Sequence, residues 1–124
     1  MIVGAWTIWE VIALIALFTR INDYQRSNGS VLRATVSIPP DVVLHLFGQP
    51  DESDGYKSSM EWLFEDEEGN VVSLYDWKST NLYSSELPSP DVLLASPVSY
   101  EFHIGAHDYQ TAQKFSDWLL VKGV

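Results

Sequence analysis

The amino-terminal part of the chain is an almost unbroken apolar run from Ile2 to Phe18, interrupted only by Thr7 and Glu10. As a helix this run would rise about 25 Å, slightly less than the roughly 30 Å hydrocarbon core of a bilayer. A helix that is apolar on every side has to be buried, and a chain of 124 residues is too short to wrap one completely. We therefore expect the run to pack against a second copy of the chain. The predicted interface residues are Trp6, Trp9, Val11, Leu14 and Phe18.

Two other fates for the apolar run stay open, a membrane anchor and burial within one subunit. In a membrane anchor, Arg20 and Arg26 would mark the cytoplasmic side. Glu10 would then lie in mid-span, where an unpaired acid costs a few kcal/mol. No Lys or Arg precedes the run, which argues against a secretory signal peptide, since such peptides begin with a basic region.

The net negative charge comes entirely from residues 48–124, because three acids and three Arg balance in residues 1–47. Residues 48–124 hold four Lys and fourteen acids and account for the whole formal net charge of −10. Eight of the acids fall between Asp51 and Glu68. Such a field repels phosphate backbones and disfavours direct nucleic-acid binding, while it suits a basic protein partner. The acids form either a solvated loop and hairpin tip or a face that imitates nucleic acid and blocks a basic groove.

The chain is predicted to form one compact domain over residues 30–124 after an apolar helix and polar connector over 1–29, and four segments of that domain alternate apolar and polar residues. Alternation with period two is typical of half-buried strands. The predicted strands are residues 30–38, 59–66, 71–78 and 98–104. Asp108 is a good N-cap for a final helix over residues 109–121. We expect an α+β fold, an antiparallel sheet of about four strands with the carboxy-terminal helix packed on one face.

Residues 79–97 contain Pro88, Pro90 and Pro97 and are predicted to form a long irregular connection. Loops of this length are usually functional or held by a partner. The chain has no Cys, which excludes disulfides, Cys-ligated zinc and a thiol nucleophile.

Residues that could carry catalysis or bind a metal are few. His103 and His107 have the H-x₃-H spacing, but a predicted strand end lies between them, so the rings need not share a face. We expect an outward strand position for His103, a capping role for His107 and a packing role for His45. The chain contains neither the nucleophile motif G-x-S-x-G nor a phosphate-binding glycine loop. We therefore expect no enzyme activity, no cofactor and no metal site.

The segment from Tyr75 to Tyr83 combines aromatic, acidic, cationic and amide side chains at the exit of a predicted strand. An aromatic ring can stack on a base, a carboxylate can accept from hydroxyls, and Lys can meet a phosphate. The predicted ligand contacts are Tyr75, Asp76, Trp77, Lys78, Asn81 and Tyr83. Tyr56 and Lys57, in the acidic loop, would add a second cation. The alternative is a cross-strand aromatic pair with an Asp–Lys ion pair at the sheet edge.

The patterns FGQPDESDGYK, EWLFEDEEGN, YDWKSTNLY and EFHIG, within about residues 36–121, resemble those of small bacteriophage and mobile-element proteins without an assigned activity. No site residue can be transferred from that group. The resemblance implies only a class, since small acidic phage accessory proteins often antagonise host defences by binding rather than by catalysis.

These observations predict a non-catalytic binding protein. The leading hypothesis is a phage-type antagonist of host defence that acts in the host cytoplasm and sequesters a small nucleotide-like signal in a pocket of a homo-oligomer. The first alternative is an acidic inhibitor that imitates nucleic acid and binds a basic protein surface. The second is an accessory protein anchored in a membrane by residues 2–18.

Overall fold

The computed structural model describes residues 7–8 and 17–123. Four of the predicted interface residues, Trp6, Trp9, Val11 and Leu14, lie outside these residues. Within the described ranges, no helix has both the length and the apolar character needed to cross a bilayer.

The described chain forms one antiparallel sheet with helices, an α+β fold as predicted. The strands are β1 (Thr19–Ile21), β2 (Val31–Ile38), β3 (Glu61–Glu65), β4 (Val71–Tyr75) and β5 (Tyr100–Ala106). The helices are α1 (Pro40–Phe47), α2 (Pro90–Leu94) and α3 (Tyr109–Lys122), and a 3₁₀ turn covers Tyr24–Ser27. The order across the sheet is β1-β3-β4-β5-β2, with every neighbouring pair antiparallel.

The sheet has five strands where four were predicted. The additional strand, β1, comes from the segment predicted to be a polar connector, and it pairs Arg20 with Phe64 of β3. Three residues are too few to show a period-two pattern, so the strand depends on tertiary contacts. Arg20 supplies two of them, a hydrogen bond from Nη1 to the Phe47 carbonyl at 2.8 Å and an ion pair with Asp51 at 3.4 Å. The predicted division of the chain at residue 29 therefore does not separate this segment from the sheet.

The main core lies between one face of the sheet and α3. Asp108 caps this helix as predicted, by accepting from the Thr111 N–H at 2.7 Å. The rings of Phe115 and Phe64 lie 4.9 Å apart, which joins the helix to β3. Phe18 packs on the same helix, 5.2 Å from the Phe115 ring, and is 7% exposed. It is therefore a core residue of its own chain, which corrects its predicted place at an interface between copies.

The predicted irregular connection contains the short helix α2. Ser89 caps it by accepting from the Val92 N–H at 3.2 Å, and Pro90 occupies its first turn, a position that tolerates proline. Leu93 and Leu94 are buried. One of the three prolines that suggested a loop, Pro90, thus begins a helix that covers part of the core.

Candidate functional site

The exit of β4 is held by one buried carboxylate. Asp76 is fully buried and accepts from the N–H groups of Ser59 at 2.7 Å and Met60 at 3.0 Å. The hydroxyls of Ser58 and Ser59 donate to it as well, at 3.2 and 2.6 Å. These bonds tie the strand end to the loop before β3. Asp76 is therefore engaged within the fold and has no exposed surface with which to contact a ligand, which corrects its predicted role.

Trp77 leaves the strand with a defined orientation. Its backbone N–H donates to the Tyr100 hydroxyl at 3.0 Å. Its indole is stacked on the His103 ring, with centroids 5.6 Å apart and planes 20° apart, and Tyr75 meets that ring edge-on at 5.6 Å. Trp77 nevertheless stays 37% exposed. The imidazole thus orients an indole that is still accessible to a ligand.

His103 is in its neutral form at pH 7. Burial lowers the pKa of its ring below the usual 6.5, and the nearby charges of Glu101 and Asp76 only partly oppose the shift. The stack with Trp77 is therefore between two uncharged rings, and His103 adds no positive charge to the site.

Two lysines flank the exposed indole. The Nζ atoms of Lys78 and Lys57 lie 5.7 and 5.9 Å from the centroid of the Trp77 ring, within the range of cation–π contacts. Their backbones are joined as well, because the Lys78 N–H donates to the Lys57 carbonyl at 2.6 Å. Lys78 has a φ of +55°, a backbone conformation that non-glycine residues seldom adopt and that clusters at functional sites.

Two tyrosines complete this surface. The Tyr83 ring lies 5.4 Å from the Nζ of Lys78 and 5.3 Å from the ring of Tyr56. We refer to these five residues as the aromatic–lysine cluster: Tyr56, Lys57, Trp77, Lys78 and Tyr83. Asn81, predicted to join it, is exposed in the loop that follows Trp77, and its N–H donates to the Pro88 carbonyl at 2.8 Å.

The loop that carries Lys57 is shaped by Asp54. The Oδ1 atom of Asp54 accepts from the N–H groups of Tyr56 at 2.8 Å and Ser58 at 3.0 Å. Burial alone would raise the pKa of Asp54, but these hydrogen bonds and the charge of Lys57 hold it below 3.8. Gly55, at a φ of +77°, allows the turn that these bonds close.

A polar cleft of about 190 Å³ lies beside the cluster, on the face of the sheet opposite to α3. Its floor includes Glu61 and Tyr75, which are register partners, and Tyr75 also pairs with His103. Burial raises the pKa of Glu61, and the hydrogen bonds from Ser53 and Ser73, which lower it, only partly offset this effect. Burial, together with the charge of Glu61, also raises the pKa of Tyr75. Glu61 was not among the predicted site residues, although strand alternation places it with Tyr75.

Most of the acids between residues 51 and 68 have partners within the chain. Asp51 pairs with Arg20, Glu65 with Arg26 at 2.6 Å, and the buried Asp66 with Lys114 at 3.1 Å. Asp54 and Glu61 accept the hydrogen bonds described above. Of the eight acids in this fully described stretch, three are left to face solvent without such a partner: Glu52, Glu67 and Glu68.

The histidines do not converge on a metal site. His103 is occupied by the stack on Trp77, whereas the Nε2 atom of His107 lies 3.0 Å from the Arg26 carbonyl oxygen. His45 is exposed on α1. No group of three or more ligating side chains that could hold a metal occurs in residues 7–8 and 17–123.

A scan against protein-family models and a search of curated proteins for similar sequences found no match to this chain.

Proposed function

We propose that this chain is a non-catalytic binding protein whose aromatic–lysine cluster takes a small, nucleotide-like anion. The observation that supports this most is the placement of Lys57 and Lys78 over the exposed indole of Trp77. Residues 48–124 hold only four lysines against fourteen acids, and two of the four meet at this one ring.

The cluster offers the two interactions that a nucleotide needs. Stacking of a base on an aromatic ring contributes about 1–3 kcal/mol, and the exposed rings of Trp77 and Tyr83 are available for it. A phosphate can displace an ammonium group from its cation–π contact, because a charge-assisted hydrogen bond is the stronger interaction. The bonds made by Asp76, Tyr100 and the Lys57 carbonyl hold the backbone of this surface in place, which reduces the entropy lost on binding.

The biological role that we propose is sequestration of a signalling nucleotide in the host cytoplasm, as expected of a phage-type antagonist of host defence. Removal of a signal by binding needs no reaction, and it needs no extended acidic surface. Imitation of nucleic acid is the weaker proposal, because most of the acids that would form the imitating face are paired within the chain.

The test is calorimetric titration of the purified chain with AMP and with adenosine. Trp77→Ala should weaken AMP binding roughly 5- to 150-fold, the loss expected for one stacked base. Lys78→Ala should weaken the binding of AMP more than that of adenosine, which has no phosphate. Lys122→Ala is the matched control, since Lys122 also lies over a tryptophan, 5.4 Å from the Trp118 ring, but belongs to α3.

The proposal fails if titration with AMP, with a cyclic dinucleotide and with pyrophosphate gives no heat of binding. It also fails if Trp77→Ala and Lys78→Ala bind AMP as tightly as the unchanged chain does. A second variant, Glu67→Gln with Glu68→Gln, separates the two proposals. Removal of these exposed charges should leave nucleotide binding intact. A loss of inhibition of a basic partner in the same variant would favour imitation of nucleic acid instead.

A further inference from the structure

The polar cleft beside the cluster owes its depth to Gly105. A Cβ atom at this position would lie 2.9 Å from Ser73 Oγ, 3.4 Å from the Tyr75 ring and 3.8 Å from Ser30 Oγ. Gly105 lies on the interior strand β5, between Ser73 of β4 and Leu32 of β2. The missing side chain therefore leaves an opening in the middle of the sheet, and two serine hydroxyls border it.

The cleft is lined by hydrogen-bonding groups that suit hydroxyls. The carboxylate of Glu61 accepts from Ser53 Oγ at 2.9 Å and has lone pairs left for further donors. Tyr75 also lines the cleft, and its hydroxyl has no hydrogen-bond partner among the residues that the structure describes. A carboxylate is also the group with which dinucleotide-binding proteins hold a ribose 2′-hydroxyl.

The size and position of the cleft indicate that it holds one part of a ligand. Its volume of about 190 Å³ is smaller than the roughly 300–1,000 Å³ of pockets that enclose a complete small ligand. Trp77 lines the cleft and also belongs to the aromatic–lysine cluster. A molecule in the cleft can therefore extend past the indole towards Lys57 and Lys78.

We propose that the cleft takes the sugar of the ligand, with the ribose hydroxyls on Glu61, Ser73 and Tyr75 while the phosphate meets the lysines. The ligand is then a phosphorylated ribonucleoside. Nucleotides that lack the ribose hydroxyls, and simple polyphosphates that lack a sugar, do not belong to this class. This inference rests on the proposed function, because it assigns the sugar of the same ligand.

The experiment compares AMP with 2′,3′-dideoxy-AMP by calorimetry on the full chain. We expect AMP to bind about 10-fold or more tightly than the dideoxy compound, because hydrogen bonds to a charged acceptor are among the strong ones. In Glu61→Gln and in Ser73→Ala the ratio of the two affinities should fall towards one. This ratio is insensitive to any general repulsion between Glu61 and the phosphate, since both compounds carry the same phosphate.

Glu86→Gln and Ser85→Ala are the matched controls, because both residues are exposed in the loop after Trp77, and they should preserve the ratio. Equal affinities of the unchanged chain for AMP and dideoxy-AMP would overturn the sugar assignment and leave the proposed function standing. An affinity ratio of AMP to dideoxy-AMP that is the same in Glu61→Gln and Ser73→Ala as in the unchanged chain would also overturn the sugar assignment. If neither compound binds, the sugar assignment is overturned, and the proposed function fails as well if a cyclic dinucleotide and pyrophosphate give no heat of binding either.

Discussion

One buried carboxylate organises the surface that we propose as the binding site. Asp76 accepts four hydrogen bonds from Ser58, Ser59 and Met60. It fixes the loop that carries Lys57 to the strand end that carries Trp77. A buried acceptor with this many donors is costly to replace, because each donor left without a partner loses its hydration and gains nothing.

Asp76→Asn should therefore lower the free energy of unfolding by about 1–3 kcal/mol, because its amide nitrogen would face groups that are themselves donors. Urea unfolding followed by tryptophan fluorescence measures the change. Glu86→Gln, an exposed acid-to-amide substitution, should stay within about 0.5 kcal/mol of the unchanged chain. An unaltered unfolding midpoint in Asp76→Asn would show that the network contributes little to stability.

At the scale of elements, the β3–β4 hairpin is fastened to α3 through its turn. The carboxylate of Asp66 accepts from the N–H groups of Glu68 and Asn70 within the turn and from Lys114 of α3 at 3.1 Å. Burial alone would raise the pKa of Asp66, but the hydrogen bonds from Asn70, Lys114 and Glu68 outweigh it and hold the pKa below 3.8. Gly69, at a φ of +83°, completes the turn without strain.

A lowered pKa in the folded state means that the Asp66 carboxylate stabilises the fold above its unfolded pKa, and that this contribution is lost as the pH falls through the folded pKa. Asp66→Asn should thus reduce the free energy of unfolding by about 1–3 kcal/mol at pH 7. The difference from the unchanged chain should shrink below pH 3.8. Urea unfolding at a series of pH values checks this.

Glu67→Gln is the neighbouring control, since Glu67 is exposed in the same turn. It should change stability little at any pH. A difference between Asp66→Asn and the unchanged chain that persists undiminished well below pH 3.8 would contradict the assigned role of the charge.

At the scale of the whole molecule, the apolar run remains our basis for predicting self-association. Leu17, at the end of the run, is 60% exposed, whereas Phe18 and β1 belong to the described fold. A truncation that keeps Phe18 and β1 must therefore begin no later than residue 17.

The full chain should sediment as a dimer or larger oligomer in buffer without detergent, whereas residues 17–124 should sediment as a monomer with the same cooperative unfolding transition. The reason is that residues 2–16 are almost all apolar, and exposure of so much apolar surface to water is unfavourable. A monomeric full chain would exclude this interface. A full chain that stays in solution only with detergent would favour the membrane anchor instead.

Local sequence pattern by itself determined much of the fold. Alternation with period two identified four of the five strands, although consecutive residues of β3 and β4 are buried in the fold. The N-cap at Asp108 was equally predictable, since it depends on residues close in the chain. The segment around Trp77 was identified by its composition, although its binding role remains a prediction.

Only the tertiary structure decided how distant residues meet. β1 is a strand because β3 lies beside it, and Phe18 is buried because α3 covers it. Asp76 looked like a ligand contact, and its burial follows from a loop that folds back over it. The same loop brings Lys57 to the indole of Trp77. A single sequence does not encode such pairings in any local pattern, because they depend on strand order and register.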